Sequence, residues 1–236
     1  MFERPDWSWD DIIGMSPISK AQQRHLTNVY ACLAWCVLLA MLGCALDVLA
    51  GIPSLLNGLL HMAGVFYLMS TANQGFNTIR AVVLSSVSLL MGVSVQELVF
   101  YADIMNPQIV PRAFLASFAI FAAFTLTSFF TRRRQALYLG ALLSTVVSYM
   151  TLAGLANLFL QWPLIQDGLL WVGLFSFVGF VVYDTQLILM SVEAGRADVL
   201  SNALMLFVDI FAVFVRLVVI LLDKQRRRED EERKRR

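Results

Sequence analysis

Charge is scarce in this sequence. Asp, Glu, Lys and Arg make up 15% of its 236 residues, against roughly 25% in a soluble domain. Polar surface on that scale cannot clothe a water-soluble fold of this size, and 58% of the residues are hydrophobic, with a mean hydropathy of +0.69. A bilayer is the environment such a chain requires. The start lacks the basic, short apolar signature of a cleaved signal peptide: residues 1–28 are polar and acidic and are broken by Pro5 and Pro17, so the first span is expected to serve as its own insertion signal. No Asn-x-Ser/Thr sequon occurs to mark a lumenal loop. Cysteine is limited to Cys32, Cys36 and Cys44, all inside the first span, where spacing suits packing better than bridging. At about 20 apolar residues per span, the length leaves no room for a separate soluble domain to carry chemistry.

What is present is a succession of apolar runs. They predict spans at roughly 29–50, 55–73, 79–102, 112–131, 136–158, 165–191 and 200–222, separated by turn residues or charges such as Gly51-Ile52-Pro53, Asn106-Pro107 with Pro111, Arg132-Arg133-Arg134 and Gln161-Trp162-Pro163. The fold class expected is an all-α membrane protein, with a polar N-terminal segment over 1–28, a transmembrane helical bundle over 29–223 and a charged, disordered C-terminal tail over 224–236. Short connectors make successive helices antiparallel neighbours. The tail holds eight basic and four acidic residues in thirteen positions, which suits a solvated stop-transfer segment, or a contact for anionic lipid or a protein partner. Seven spans place this tail on the opposite side from the triple arginine, although the positive-inside rule draws both to the cytoplasm. A cytosolic tail is the expectation.

A charge within hydrocarbon costs at least ~2.5–3.5 kcal/mol on insertion scales and demands a partner, water or a proton. Asp184 lies in the sixth span and Asp209 mid-way along the seventh. Counted from the turn at Gly195, they are 11 residues back and 14 forward, or roughly 16 and 21 Å along antiparallel helices at 1.5 Å per residue. They therefore share a depth to within about one turn. If they face one another they cannot both ionise cheaply, and sharing one proton makes them a pH sensor and ion gate. Deprotonated, they offer oxygen ligands for transient Ca2+. The alternative is that each bonds separately to a hydroxyl, a backbone group or Arg216.

Other candidates are weaker. Arg216, two turns beyond Asp209, either neutralises it or snorkels to the interface. Arg80 opens the third span as a gate or as an interface anchor. Asp47 and Glu97 lie near span ends, on an ion path or simply at the interface. His61 is a packed residue or a proton relay. Gly43, Gly58, Gly64, Gly92, Gly140, Gly154, Gly173 and Gly179 are expected at close helix contacts. An intramembrane aspartyl protease would use two aspartates on adjacent spans, but the Gly-x-Gly-Asp motif of those enzymes is replaced here by Leu206-Phe207-Val208 before Asp209, so no enzyme is expected.

Several motifs resemble the Bax inhibitor-1, or transmembrane Bax inhibitor motif, family. Gly179-Phe180-Val181-Val182-Tyr183-Asp184-Thr185-Gln186-Leu187-Ile188 is similar to its G-F-x-x-[FY]-D-T-Q-x-[IL] signature, and Phe207-Val208-Asp209-Ile210 to its second aspartate motif. Asn106-Pro107 with Pro111, and Phe124-Thr125-Leu126-Thr127 followed by the arginine cluster, extend the likeness from about His25 to the tail. The resemblance implies a seven-helix bundle around a central last helix in the endoplasmic reticulum membrane, acting as a pH-sensitive Ca2+ leak that protects cells from stress-induced death. It implies Asp184 and Asp209 as the paired aspartates and Arg80 as the gating arginine. Implied partners are the lipid bilayer, Ca2+ and protons, Bcl-2 relatives and Ca2+ release channels. Ca2+ is the transported ion, and no cofactor and no nucleic acid are expected. Two departures stand out: Gln96-Glu97 where the family often carries Gly-Pro, and Met205 where it often carries a polar residue.

Overall fold

The computed structural model describes residues 19–46, 52–131 and 133–235, apart from the side chains of 133, 134, 163, 164 and 235. Among these residues there are eight α-helices and no strand: α1 (Lys20–Ala45), α2 (Ser54–Ser70), α3 (Thr78–Ser94), α4 (Gln96–Met105), α5 (Ile109–Ser128), α6 (Arg133–Leu160), α7 (Pro163–Glu193) and α8 (Val199–Arg235). Asp47, a candidate for the ion path, lies outside the described residues.

Local chemistry sets the helix ends. Ser19 caps α1 in a reciprocal box: its hydroxyl accepts from the Gln22 N–H at 3.2 Å, and the Gln22 side chain accepts from the Ser19 N–H at 2.8 Å. That cap carries helix back to Lys20, into the segment expected to be a polar leader, because satisfied first-turn donors matter more than hydropathy. Asn77 caps α3 and Pro163 opens α7, where a missing N–H costs nothing. After α7 the chain turns at Gly195, whose φ of +68° is the left-handed conformation in which glycine has no Cβ to clash. The Arg196 N–H then bonds back to the Ser191 carbonyl at 2.9 Å.

Length and hydropathy support five or six full spans among the described residues and do not confirm the expected seven. Five helices, α1, α5, α6, α7 and α8, are long and apolar enough to cross a bilayer, and a sixth crossing follows if α3 and α4 count as one span bent by 41°. The segment expected over 55–73 is the 17-residue α2, about 25 Å long against ~30 Å of hydrocarbon. The predicted span over 79–102 breaks at Val95, directly before Gln96-Glu97, and the Ser94 hydroxyl donates into the loosened turn, to the Met91 carbonyl at 2.6 Å. The segment expected as a disordered tail instead continues α8 as helix to Arg235. Opposite charges interleaved one turn apart support it, as does the Gln225 amide donating to Glu229 Oε1 at 3.0 Å.

α8 is the hub, packing against α1, α2, α3, α4, α5 and α7, while α6 lies outside against α7. The main core gathers Val29, Leu33 and Cys36 of α1, Leu84 and Val87 of α3, Ile188 of α7 and Leu204, Leu206 and Phe207 of α8. α1 and α3 cross with their backbones in contact: a Cβ on Gly43 would lie 2.1 Å from the Leu89 carbonyl oxygen, and one on Gly92 2.0 Å from that of Ala40. Gly58, expected at a similar contact, faces open space. The outer surface is apolar: Leu55, Phe66, Leu152 and Phe159 are each more than 60% exposed. A belt of this kind has no stable place in water, and with five or more apolar helices it makes the chain a multi-pass membrane protein.

Candidate functional site

Two acidic centres lie buried against α8, and they are built in opposite ways. The first joins Asp184 of α7 to Asp209 of α8. Each is almost fully buried, with 6% and 4% of its surface exposed. The flanking residues of α7 anchor Asp184: Thr185 donates its hydroxyl to the Val181 carbonyl at 2.7 Å, and the Gln186 amide donates to the Ser128 carbonyl at the end of α5. Leu206 one turn before Asp209 and Val213 one turn after it share its face of α8 and are buried, Val213 in a cluster with Leu174 and Val178 of α7, which fixes the rotation of the helix and turns Asp209 inward. The two carboxyls meet within hydrogen-bond reach. Asp209 Oδ2 is enclosed, and no donor among the described residues reaches it. A hydrogen bond between two carboxyls needs a proton on one of them.

Among the described residues, no cation pairs with either carboxyl. Arg216 does not turn toward Asp209: its guanidinium lies over the Phe177 ring, 4.5 Å from the centroid, and donates to the Ala212 carbonyl at 3.1 Å. A helical separation of seven residues aligns faces but does not dictate where a long side chain reaches, and an aromatic face on α7 holds this one.

Arg80 is neither an interface anchor nor a neighbour of that pair. It is fully buried and forms the second centre with Asp198, in the turn before α8. Its two terminal nitrogens reach the two carboxylate oxygens of Asp198 at 2.6 and 3.2 Å. Its remaining donors go to the Gly75 carbonyl at 2.6 Å, the Ser201 hydroxyl at 2.9 Å and the Thr71 hydroxyl at 3.1 Å. Asp198 also accepts from the Asn73 N–H at 3.0 Å and from the N–H groups of Leu200 and Ser201, so it is at once ion-pair partner and helix cap. Burial pushes the Asp198 carboxyl up, but the hydrogen bonds from Arg80, Asn73 and Ser201 outweigh it and hold the group below the usual carboxylate range. Asp198 is not among the residues singled out from the sequence. Nothing local in it announces a partner more than a hundred positions upstream.

Beside this bridge, Gln22 donates to the Leu189 carbonyl at 3.3 Å and to Glu193 Oε1 at 3.1 Å, and His25 Nε2 meets the Asn202 amide at 2.9 Å. These contacts pin the start of α1 to the α7–α8 turn. Glu97 is far from either centre in sequence and in surroundings: it opens α4 and faces a cavity it shares with His61 and Asp103.

The chain matches over residues 22–227 the family model described as "Inhibitor of apoptosis-promoting Bax1". It is 33% identical over 220 residues to Bax inhibitor 1 of Homo sapiens, covering 91% of this chain and 92% of that protein. Bax inhibitor 1 of Arabidopsis thaliana is 34% identical over 217 residues, covering 92% and 87%, and that of Oryza sativa subsp. japonica 33% over 217 residues with the same coverage. Extending across both acidic centres and nearly the full length of each relative, these matches show that the chain belongs to the Bax inhibitor-1 family.

Proposed function

We propose that this protein is a pH-sensitive Ca2+ leak of the endoplasmic reticulum membrane, gated by proton sharing between Asp184 and Asp209, and that it suppresses stress-induced apoptosis. The observation that carries the proposal is the meeting of these two buried carboxyls with no cation paired to them among the described residues. With one proton between them, a short charge-assisted hydrogen bond ties α7 to α8. When that proton leaves, two like charges face each other in a low-dielectric site, and the helices gain by separating or by admitting a hard cation. Two adjacent carboxylates make a passing station for Ca2+ and not a resident site, since among the described residues no group of three or more His, Cys, Asp or Glu side chains could hold a metal ion. The death-suppressing role rests on the names borne by the family model and the relatives. It follows physically if a leak lowers stored Ca2+. On this reading the tail faces the cytosol, the side to which its eight basic residues are drawn.

Purified protein in Ca2+-loaded liposomes tests this directly. Leak is expected to vary with pH in the wild type, and Asp184→Asn and Asp209→Asn are each expected to flatten that dependence. A pH-independent wild-type leak, or variants indistinguishable from wild type, overturns the gate. A second reading is a non-conducting scaffold working through Bcl-2-type partners and Ca2+ release channels. The charged helical end of α8, reaching Arg235 beyond the apolar bundle, supports it. Deleting 224–236 separates the two: cell protection lost while liposome leak persists favours the scaffold.

A further inference from the structure

A sizeable cavity lies away from both acidic centres. It has a volume of about 990 Å³, sits where α3 bends into α4, and is walled by Asn57 and His61 of α2, Glu97 and Asp103 of α4, and the Pro107–Pro111 turn. Cys44, Ala45, Val99, Val110 and Pro111 also wall a second chamber of about 480 Å³, so the two spaces adjoin. Their linings differ sharply. The second chamber is formed by Met41, Val95, Phe114, Phe207, Phe211 and Phe214, with Ser117 as its one hydroxyl, and that hydroxyl already donates to the Phe114 carbonyl at 2.8 Å.

The polar cavity presents acceptors. Asn57 is 97% buried, its amide nitrogen donates to the Leu90 carbonyl at 3.1 Å, and its Oδ1 is enclosed with no hydrogen-bond partner among the described residues. An enclosed amide oxygen without a donor costs free energy until something supplies one. His61 Nδ1 lies 3.1 Å from the Asn57 carbonyl oxygen. Because a carbonyl can only accept, Nδ1 carries the hydrogen, and Nε2 is left as a further acceptor. Glu97 and Asp103 add two carboxylates, and no Lys or Arg is among the described lining residues. A group that satisfies such a set brings several N–H donors and a positive charge. The adjoining apolar chamber asks for a hydrocarbon chain, and Met41 and Phe114, 54% and 39% exposed on the outer face of the bundle, put it in contact with lipid.

We propose that these paired chambers bind a single-chain cationic amphiphile, a long-chain amine whose ammonium head sits among Asn57, His61, Glu97 and Asp103 and whose tail fills the space beside Phe114 and Phe207. A hydrated metal cation accounts for the carboxylates but gains nothing from the apolar chamber. A neutral or anionic lipid fits the chamber and leaves the acceptors unmet. An alkyl chain gains little on moving from bilayer to an apolar pocket, so the head group sets the preference. The site stands apart from the aspartate gate and does not depend on it.

The full chain in phosphatidylcholine nanodiscs, exposed to trace hexadecylamine carrying a diazirine in its chain, provides the test. After irradiation, label is expected at Met41, Val95 to Val99 and Phe114. Unlabelled hexadecylamine should chase it about fivefold more effectively than hexadecanoic acid, the ratio that the upper end of an exposed charge–charge contact confers. Glu97→Gln combined with Asp103→Asn, two exposed positions, should erase that ratio without altering the unfolding temperature. Met41→Trp, which fills the chamber, should remove the label. Label spread evenly over the lipid-facing α6, equal competition by the acid, or an unchanged ratio in the charge-neutral variant overturns the proposal.

Discussion

The two acidic centres share a helix and a degree of burial, yet one is saturated and the other is left wanting. At Asp198 every carboxylate oxygen and nearly every Arg80 donor is engaged. At Asp184 and Asp209 two acids face each other with an enclosed oxygen unmatched. A saturated ion pair has a single low-energy arrangement and resists change, whereas an unbalanced pair changes state when a proton arrives or leaves. Stiffness and responsiveness thus occupy neighbouring stretches of α8, separated by eleven residues (209 − 198).

The comparison breaks most visibly at the saturated centre. Arg80→Met strands a buried carboxylate and is expected to cost about 3–5 kcal/mol, read as a lowered unfolding midpoint in detergent micelles. Adding Asp198→Leu should restore most of the loss, because two apolar side chains strand nothing. An Arg80→Met protein as stable as wild type would show that the bridge is not the clamp described here. Next comes Gln186→Leu, which removes the tie from α7 to the Ser128 carbonyl while the Thr131 N–H still satisfies that oxygen at 3.0 Å, and should cost about 0.5–1.5 kcal/mol, with a shifted pH response of the leak because Asp184 loses its neighbouring anchor.

Acid separates the centres by the direction in which each titrates. The folded-state value of Asp198 is depressed, so its contribution to stability is fully present above the unfolded carboxylate range, about pH 4, and is lost as pH falls through the lower folded value. Between pH 5 and 8 the bridge should therefore be unchanged, and any leak response in that window belongs to Asp184 and Asp209. If Asp198→Asn removed that response while Asp184→Asn kept it, the roles assigned to the two centres would be reversed. The smallest effect is expected at the surface: Arg227→Ala removes a 3.9 Å contact to Asp167 between exposed side chains and should change stability by no more than about 1 kcal/mol.

The depth of Asp184 and Asp209 was legible because helix rise is constant and the turn at Gly195 is marked, so counting residues measured distance. Rotation was not in the count. It is set by Val213 packing with Leu174 and Val178 of α7 and by Gln186 reaching across to Ser128, contacts between segments far apart in the chain. The Arg80–Asp198 bridge escaped for the same reason: a cap residue looks alike whether or not a guanidinium waits behind it. Arg216 was aligned correctly with Asp209 but turned to Phe177, a choice made by a ring on another helix. Hydropathy found the apolar segments yet began α1 too late, where the Ser19 cap and the buried Gln22, His25 and Leu26 extend the helix, and did not show the helical end of α8, where charge spacing prolongs it.

The hub position of α8 has a consequence for biogenesis. A ribosome delivers α1 to α7 before α8, so the helix around which the others assemble enters the membrane after them. During that interval the earlier helices have no common partner, Arg80 has no Asp198, and Asp184 stands in lipid without the carboxyl that later faces it. Closure of the bundle is thus a late event, and ribosomes stalled before residue 198 should display an immature form open to chaperones and quality control.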